Sequence, residues 1–231
     1  MAKVTKQKVS KEEVLVDVAE VTHKAESWFE TNKKVLLVGL IGVVAIIGGS
    51  IAWKTYIAGK QKEALQAVWK AETLFEKDSF ATALSSTDAN SKGFQQIIDK
   101  YGSTPAGNVA QLYAGISYMQ LGKFDEAIKA LDDFSPAGSI SPALKYGLLG
   151  DAYSEKKDYS KALKYYKDAS SAGSVEELNA MYLKRYAMLS EMQNDFGTAL
   201  SAYQELKDKY PTTQDGSGVD KYIARVMAKK K

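Results

Sequence analysis

The sequence predicts an all-α chain: one helix long enough to cross a membrane, followed by an α-solenoid of short helical hairpins. Two observations carry this reading. Residues 35–53 contain no charged side chain, and beyond them small residues recur in register along helical segments. Composition bounds the rest. With 26% charged and 45% apolar residues, most of the 231-residue chain is expected to be a soluble globular protein. The 31 basic and 28 acidic residues nearly cancel and alternate along the chain, which argues against a nucleic-acid binder with one basic face. Only Lys229, Lys230 and Lys231 form a run, which reads as a solvated tail. The absence of cysteine excludes disulfides, thiolate metal sites and cysteine nucleophiles.

The uncharged run reads VLLVGLIGVVAIIGGSIAW, and as a helix its 19 residues cover roughly 28 Å, close to the thickness of a bilayer's hydrocarbon core. Eleven of them are Val, Leu or Ile, each favouring insertion by about 0.3–0.6 kcal/mol. Lys33 and Lys34 precede the run and Lys54 follows it, with Trp28, Phe29, Trp53 and Tyr56 near its ends, as for snorkelling cations and interfacial aromatics. Ser50 and Ala52 suit the small positions before a signal cleavage site, but the preceding 34 residues include six acids, so the run reads as an uncleaved anchor. Lysines on both flanks leave its orientation undecided by charge. Gly42, Ala45, Gly49 and Ala52 follow steps of 3, 4 and 3 and form one smooth helix face, suited to close packing against another membrane helix. The expected divisions are a tail over 1–34, a transmembrane helix over 35–56 and a repeat domain over 57–231.

Ahead of the anchor, Ser10 with Glu13 has the spacing of a capping box, and Val14, Val18, Val21, Ala25 and Trp28 predict an apolar stripe on a helix. The acids Glu12, Asp17, Glu20 and Glu26 lie mostly opposite, which favours a protein partner over an anionic lipid surface. His23, the only histidine, reads as an exposed side chain.

After the anchor, KFDEAIKAL (123–131), DYSKALKYY (158–166) and DFGTALSAY (195–203) align with Ala127, Ala162 and Ala199 in register, separated by 35 and 37 residues. Gly115, Gly150 and Ala187 each stand twelve residues earlier, so two antiparallel helices can touch at these paired small residues. Aromatic or long apolar residues fill the gaps: Tyr118, Phe124 and Leu131; Tyr153, Tyr159 and Tyr166; Phe196 and Tyr203. This is the pattern of the tetratricopeptide helix-turn-helix repeat, and it predicts repeats at about 108–141, 143–176 and 180–213, the third closed by Pro211. FQQIIDKYGSTP (94–105) parallels YQELKDKYPTT (203–213), which predicts a degenerate unit over about 60–105 whose first helix lies around 63–76. The polar insert SSTDANSKG (85–93) would lengthen its turn or shift its second helix, and a capping helix is expected at about 218–228.

No phosphate loop, dinucleotide glycine pattern or zinc-protease helix is present, and one histidine cannot form a ligand pair. No cofactor, metal site or enzyme activity is expected. Binding is, because stacked repeats build a concave surface from their first helices. Repeat position assigns Leu112, Ile116 and Met119, then Gly147, Asp151 and Ser154, then Lys184, Met188 and Glu191 to that surface. The partner-binding candidates are Leu112, Ile116, Met119, Asp151, Lys184 and Met188. Leu112 and Ile116 stand where a basic clamp for an acidic C-terminus needs Lys and Asn, and the methionines suit adaptable contact with apolar or extended segments.

The order of tail, span and repeats, carried by WFETNKKVLLVGLIGVVAIIGGSIAWKTY (28–56), QKEALQAVWKAETLF (61–75) and the three repeats, resembles the bacterial ancillary SecYEG translocon subunit family of single-pass inner-membrane proteins. The longer N-terminal helix departs from that family's short tail. The resemblance implies a cytoplasmic N-terminus and a periplasmic repeat domain. It also implies contact between the anchor's small face and a translocon helix, and a groove that meets emerging polypeptides or a periplasmic chaperone. Two other readings stay open: a self-assembling scaffold anchored at its N-terminus, and an organellar import receptor with repeats facing the cytosol.

Overall fold

The computed structural model describes residues 11–86 and 92–230, every ordered element of which is helical. The chain divides after Tyr56 into two compact units. Helix α1 (Lys11–Phe75) runs through the division, with residues 57–75 belonging to the second unit. Among the described residues of the first unit, the uncharged run lies exposed along α1. Leu37, Ile41, Ile46, Ile51 and Trp53 are each 59% exposed or more, and Tyr56 is 56% exposed. The side chains of Val14, Val18, Val21 and Ala25, and Ser10 of the expected capping box, lie outside the described residues. Trp28, the last member of the expected stripe, is exposed.

The second unit continues with α2 (Phe80–Leu84), α3 (Phe94–Tyr101), α4 (Pro105–Gln120), α5 (Phe124–Asp133), α6 (Ser141–Glu155) and α7 (Tyr159–Ala172). It ends with α8 (Glu176–Met192), α9 (Phe196–Lys209), α10 (Gln214–Ser217) and α11 (Asp220–Lys229). Successive helices pack as hairpins α4/α5, α6/α7 and α8/α9, each on the next, and α11 packs on α9. The insert after α2 includes residues 87–91, which lie outside the described residues.

One turn geometry closes each hairpin. Gly122, Lys157 and Asn194 all have left-handed backbone, with φ of 69°, 61° and 61°. In each turn this residue's N–H donates to the carbonyl three residues back (Met119, Ser154 and Glu191; 2.9–3.0 Å), and the next N–H donates five back (Tyr118, Tyr153 and Ser190; 2.9 Å). Such bonds satisfy carbonyls that a helix end leaves open. The same geometry ends α1: Asp78 has φ 55°, and the N–H groups of Asp78 and Ser79 donate to Phe75 and Leu74. Asp158 and Asp195 then cap α7 and α9 by accepting from the N–H of Lys161 and Thr198.

The small residues pack as the register demands, and each glycine also seats a larger side chain of the facing helix. Ala127, Ala162, Ala187 and Ala199 have no exposed surface. The sequence pairs Gly115 with Ala127 and Gly150 with Ala162. A Cβ at Gly115 would stand 3.6 Å from the Ala127 carbonyl oxygen and 2.7 Å from Cγ of Leu131, and one at Gly150 would stand 2.6 Å from Cδ1 of Tyr166. The glycine therefore admits the large side chain one turn beyond the alanine, because side chains on the facing helix lean along its axis.

The parallel between 94–105 and 203–213 extends further in three dimensions. The hydroxyls of Thr104 and Thr213 donate to the carbonyls of Tyr101 (2.7 Å) and Tyr210 (2.9 Å) and accept from the N–H of Gly107 and Gly216 (both 3.0 Å). These two corners sit before α4 and α10, and Thr104 and Thr213 are buried. Residues 57–75 complete the first core through Ala64, Val68 and Ala71, with Phe75 edge-on to Phe80, Phe94 and Tyr113. The Tyr101 hydroxyl donates to Glu63 (3.0 Å), and the side-chain oxygen of Gln61 accepts from the Ala106 N–H (2.9 Å).

Candidate interaction surface

The first helices of the three hairpins, α4, α6 and α8, carry the residues that sequence assigns to the concave face. On α4, Leu112, Ile116 and Met119 are half-buried, an i, i+4, i+7 strip on one side of the helix. On α8, Met188 is 46% exposed and Met192, one turn on, 55%. These form the apolar part of the surface.

The polar candidates are engaged within the chain. Asp151 on α6 accepts from the Tyr166 hydroxyl (2.7 Å) and pairs with Arg185 on α8, joining two hairpins. Tyr182 lies beside this pair, where burial, reinforced by the Asp151 charge, pushes its hydroxyl up to about 12. Gly147 is buried beneath the Tyr182 ring, and a Cβ there would be 1.9 Å from its Cζ. Lys184 pairs with Asp215 (2.6 Å) and stands 5.4 Å from the Tyr222 ring centre. Ser154 is half-buried.

Glu191 is the most enclosed carboxylate of the set, with 7% of its side chain exposed. It accepts from Arg225 Nε (2.8 Å) and Nη2 (2.6 Å), Lys229 Nζ (3.0 Å) and the Tyr203 hydroxyl (3.3 Å). The Arg225 hydrogen bonds, with the neighbouring charges, hold its carboxyl below the usual range despite burial. Both cations come from α11, so the C-terminal helix covers this end of the surface. Arg185, Tyr182, Arg225 and Lys229 are the residues that sequence reasoning missed. A signal for two of them exists: Asp151–Arg185 and Glu191–Arg225 are opposite charges each 34 residues apart, about one repeat.

In the first unit, Gly42, Ala45, Gly49 and Ala52 are all exposed, and nothing lies within 4 Å of a Cβ built at Gly42 or Gly49. Among the described residues, no group of three or more His, Cys, Asp or Glu could hold a metal ion.

Stacked antiparallel hairpins, a repeated left-handed turn and a strip of candidate contacts on the first helices define a helical-repeat scaffold of the protein-interaction class. Two family profiles match the chain: one described as tetratricopeptide repeat-like domain over residues 26–142, and one described as tetratricopeptide repeat over residues 148–212. The chain belongs to the tetratricopeptide repeat-like domain family. Its fold is similar to two crystal structures of nearly identical TPR-like repeats from a candidate kinesin light chain of Podosopora anserina, one of them a point variant. Each superposes with a TM-score of 0.56 over 74% of this chain and 87% or 88% of the other, at 12% and 11% identity. MamA gives a TM-score of 0.49 over 74% of this chain and 90% of its own, at 16% identity. No curated protein matches the sequence.

Proposed function

We propose that this chain is a single-pass membrane protein whose repeats serve as a non-catalytic interaction scaffold, and that it acts as an accessory subunit of the SecYEG translocon. The observation that carries the membrane part is the uncharged run over 35–53, whose eleven Val, Leu and Ile side chains are all exposed along α1. A soluble protein rarely leaves an apolar surface of that extent in water, whereas a bilayer stabilises it by about 3–7 kcal/mol before the glycines are counted. The smooth face of Gly42, Ala45, Gly49 and Ala52 then suits a neighbouring membrane helix.

The translocon part rests on the resemblance of residues 28–75 and the repeats to the ancillary subunit family. With Asp151, Lys184 and Glu191 engaged internally, Leu112, Ile116, Met119 and Met188 remain as candidate contacts. An apolar strip with methionines fits unfolded segments emerging from a channel, or a periplasmic chaperone that holds them.

Co-purification in mild detergent tests this function. SecY is expected with the native chain, and its recovery is expected to fall when Gly42, Ala45 and Gly49 are changed together to leucine. Equal recovery with that variant counts against the anchor's part, and absence of SecY from the native preparation overturns the translocon reading. Protease treatment of sealed spheroplasts tests orientation: digestion of the repeats fits a periplasmic domain, and survival fits a cytosolic receptor.

A further inference from the structure

Residues 57–75 of α1 bury one face and leave another unusually apolar. Ala64, Val68 and Ala71 are almost fully buried, while Leu65 and Trp69, four residues apart on the outer side, are 54% and 69% exposed. Exposed Leu residues are ordinary, but a tryptophan exposed to this extent beside an exposed leucine is not. Tryptophan is also the residue most enriched among interface hot spots.

The surroundings are basic. Leu65 and Trp69 line a groove of about 680 Å³ with Lys70, Lys92, Lys100 and Glu63. Lys62 precedes Leu65 by three residues and Trp69 by seven, on the same side of the helix. Among the described residues, Glu63 is the one carboxylate lining the groove; it accepts from the Tyr101 hydroxyl (3.0 Å) and lies 3.7 Å from Lys100. The surface therefore presents an aromatic anchor point within a field of net positive charge.

We propose that this outer face of 57–75 docks an acidic segment of a partner protein, with an aromatic or aliphatic side chain packed on Trp69 and Leu65 and carboxylates facing Lys92 and Lys100. Charge complementarity selects that occupant over a basic one and over a second copy's equivalent face, which would bring like charges together. None of the concave-strip residues takes part, so failure of this proposal leaves the translocon reading standing, and the converse holds.

The full-length protein in detergent is titrated into a short fluorescent peptide carrying Trp-Leu between runs of Glu and Asp, and into its counterpart with Lys at the acidic positions. Saturable binding of the acidic peptide is expected. Trp69→Ala should weaken it about thirtyfold, and salt above about 0.5 M should weaken it further by screening. Trp69 is exposed, so an unchanged melting temperature verifies that the variant folds. Equal binding of the basic peptide, or of the acidic peptide to Trp69→Ala, overturns the proposal. A photo-crosslinker at position 69 in native membranes gives the second readout. Links mapped to an acidic segment of another protein support docking, while links to another copy of this chain or to lipid overturn it.

Discussion

The ring of Tyr182 lies directly on Gly147, so close that a methyl group at position 147 would be 1.9 Å from Cζ and 2.2 Å from the hydroxyl oxygen. Tyr182 is 2% exposed and belongs to the hairpin after that of Gly147. This contact brings α8 against α6, and it places Tyr182 beside the Asp151–Arg185 pair that ties the same two helices. The repeats are therefore joined by steric fit and charge at one place.

Gly147→Ala is expected to destabilise the domain by about 1–2 kcal/mol, because displacing a buried ring outweighs the helix propensity that alanine gains. In a Tyr182→Ala background the sign should reverse, with alanine at 147 stabilising by up to about 1 kcal/mol. Urea melts of the four proteins measure this coupling. Additive effects would mean that the ring does not rest on the glycine.

At the left-handed turns the three hairpins use three residue types in one conformation. A Cβ makes that conformation costly, least so for asparagine. Lys157→Gly should stabilise the domain by about 0.5–1 kcal/mol, Asn194→Gly should be nearly neutral, and Gly122→Ala should destabilise it. Chemical denaturation ranks the three, and a neutral Lys157→Gly would contradict the strain argument.

Docking of α11 should depend on pH through Glu191. Its folded carboxyl titrates below the unfolded value of about 4.3, so the carboxylate's contribution is complete above that value and is lost as pH falls through the lower folded one. The Arg225 guanidinium stays charged throughout this window. The protection of α11 amides, taken relative to their intrinsic exchange rates at each pH, should fall on acidification in the native chain, whereas in Glu191→Gln it should already be low at neutral pH. Arg225→Ala should cost about 1–2 kcal/mol. An α11 equally protected in Glu191→Gln would remove the carboxylate from this role.

The two threonine corners allow a controlled test. A Cβ at Gly107 would meet the Tyr101 carbonyl oxygen at 1.9 Å, and one at Gly216 the Tyr210 oxygen at 1.8 Å, whereas nothing lies within 4 Å at Gly218. Backbone cannot swing aside as a side chain can, so alanine at 107 or 216 should cost about 2–3 kcal/mol or more. Alanine at 218 should be tolerated. Thermal melts that fail to separate Gly216→Ala from Gly218→Ala would sink the account of the corner.

For the anchor, lysine at the middle of the run opposes insertion by about 3 kcal/mol. Ile46→Lys should shift the protein toward the alkali-extractable fraction, whereas Thr55→Lys, beyond the run, should not. Retention of both in carbonate-washed membranes would argue that the run is held by something other than lipid.

Much was legible in one dimension. The uncharged run and the register of Ala127, Ala162 and Ala199 follow from local apolar spacing, which survives without knowledge of neighbours. Repeat position likewise puts Leu112 and Ile116 on one strip of a first helix. What only the tertiary structure decided is which side chains meet across repeats. Asp151, Lys184 and Glu191 read as free groove charges in sequence, yet Arg185, Asp215 and Arg225 engage them, because each partner comes from an element about one repeat away. Gly147 read as a groove position and is a seat for Tyr182. Lys157 gave no local sign of a left-handed turn, since lysine has no preference for it; the helices on either side impose that conformation. Spacing along a chain specifies faces and periods, whereas contacts depend on the angle and distance at which whole hairpins stack.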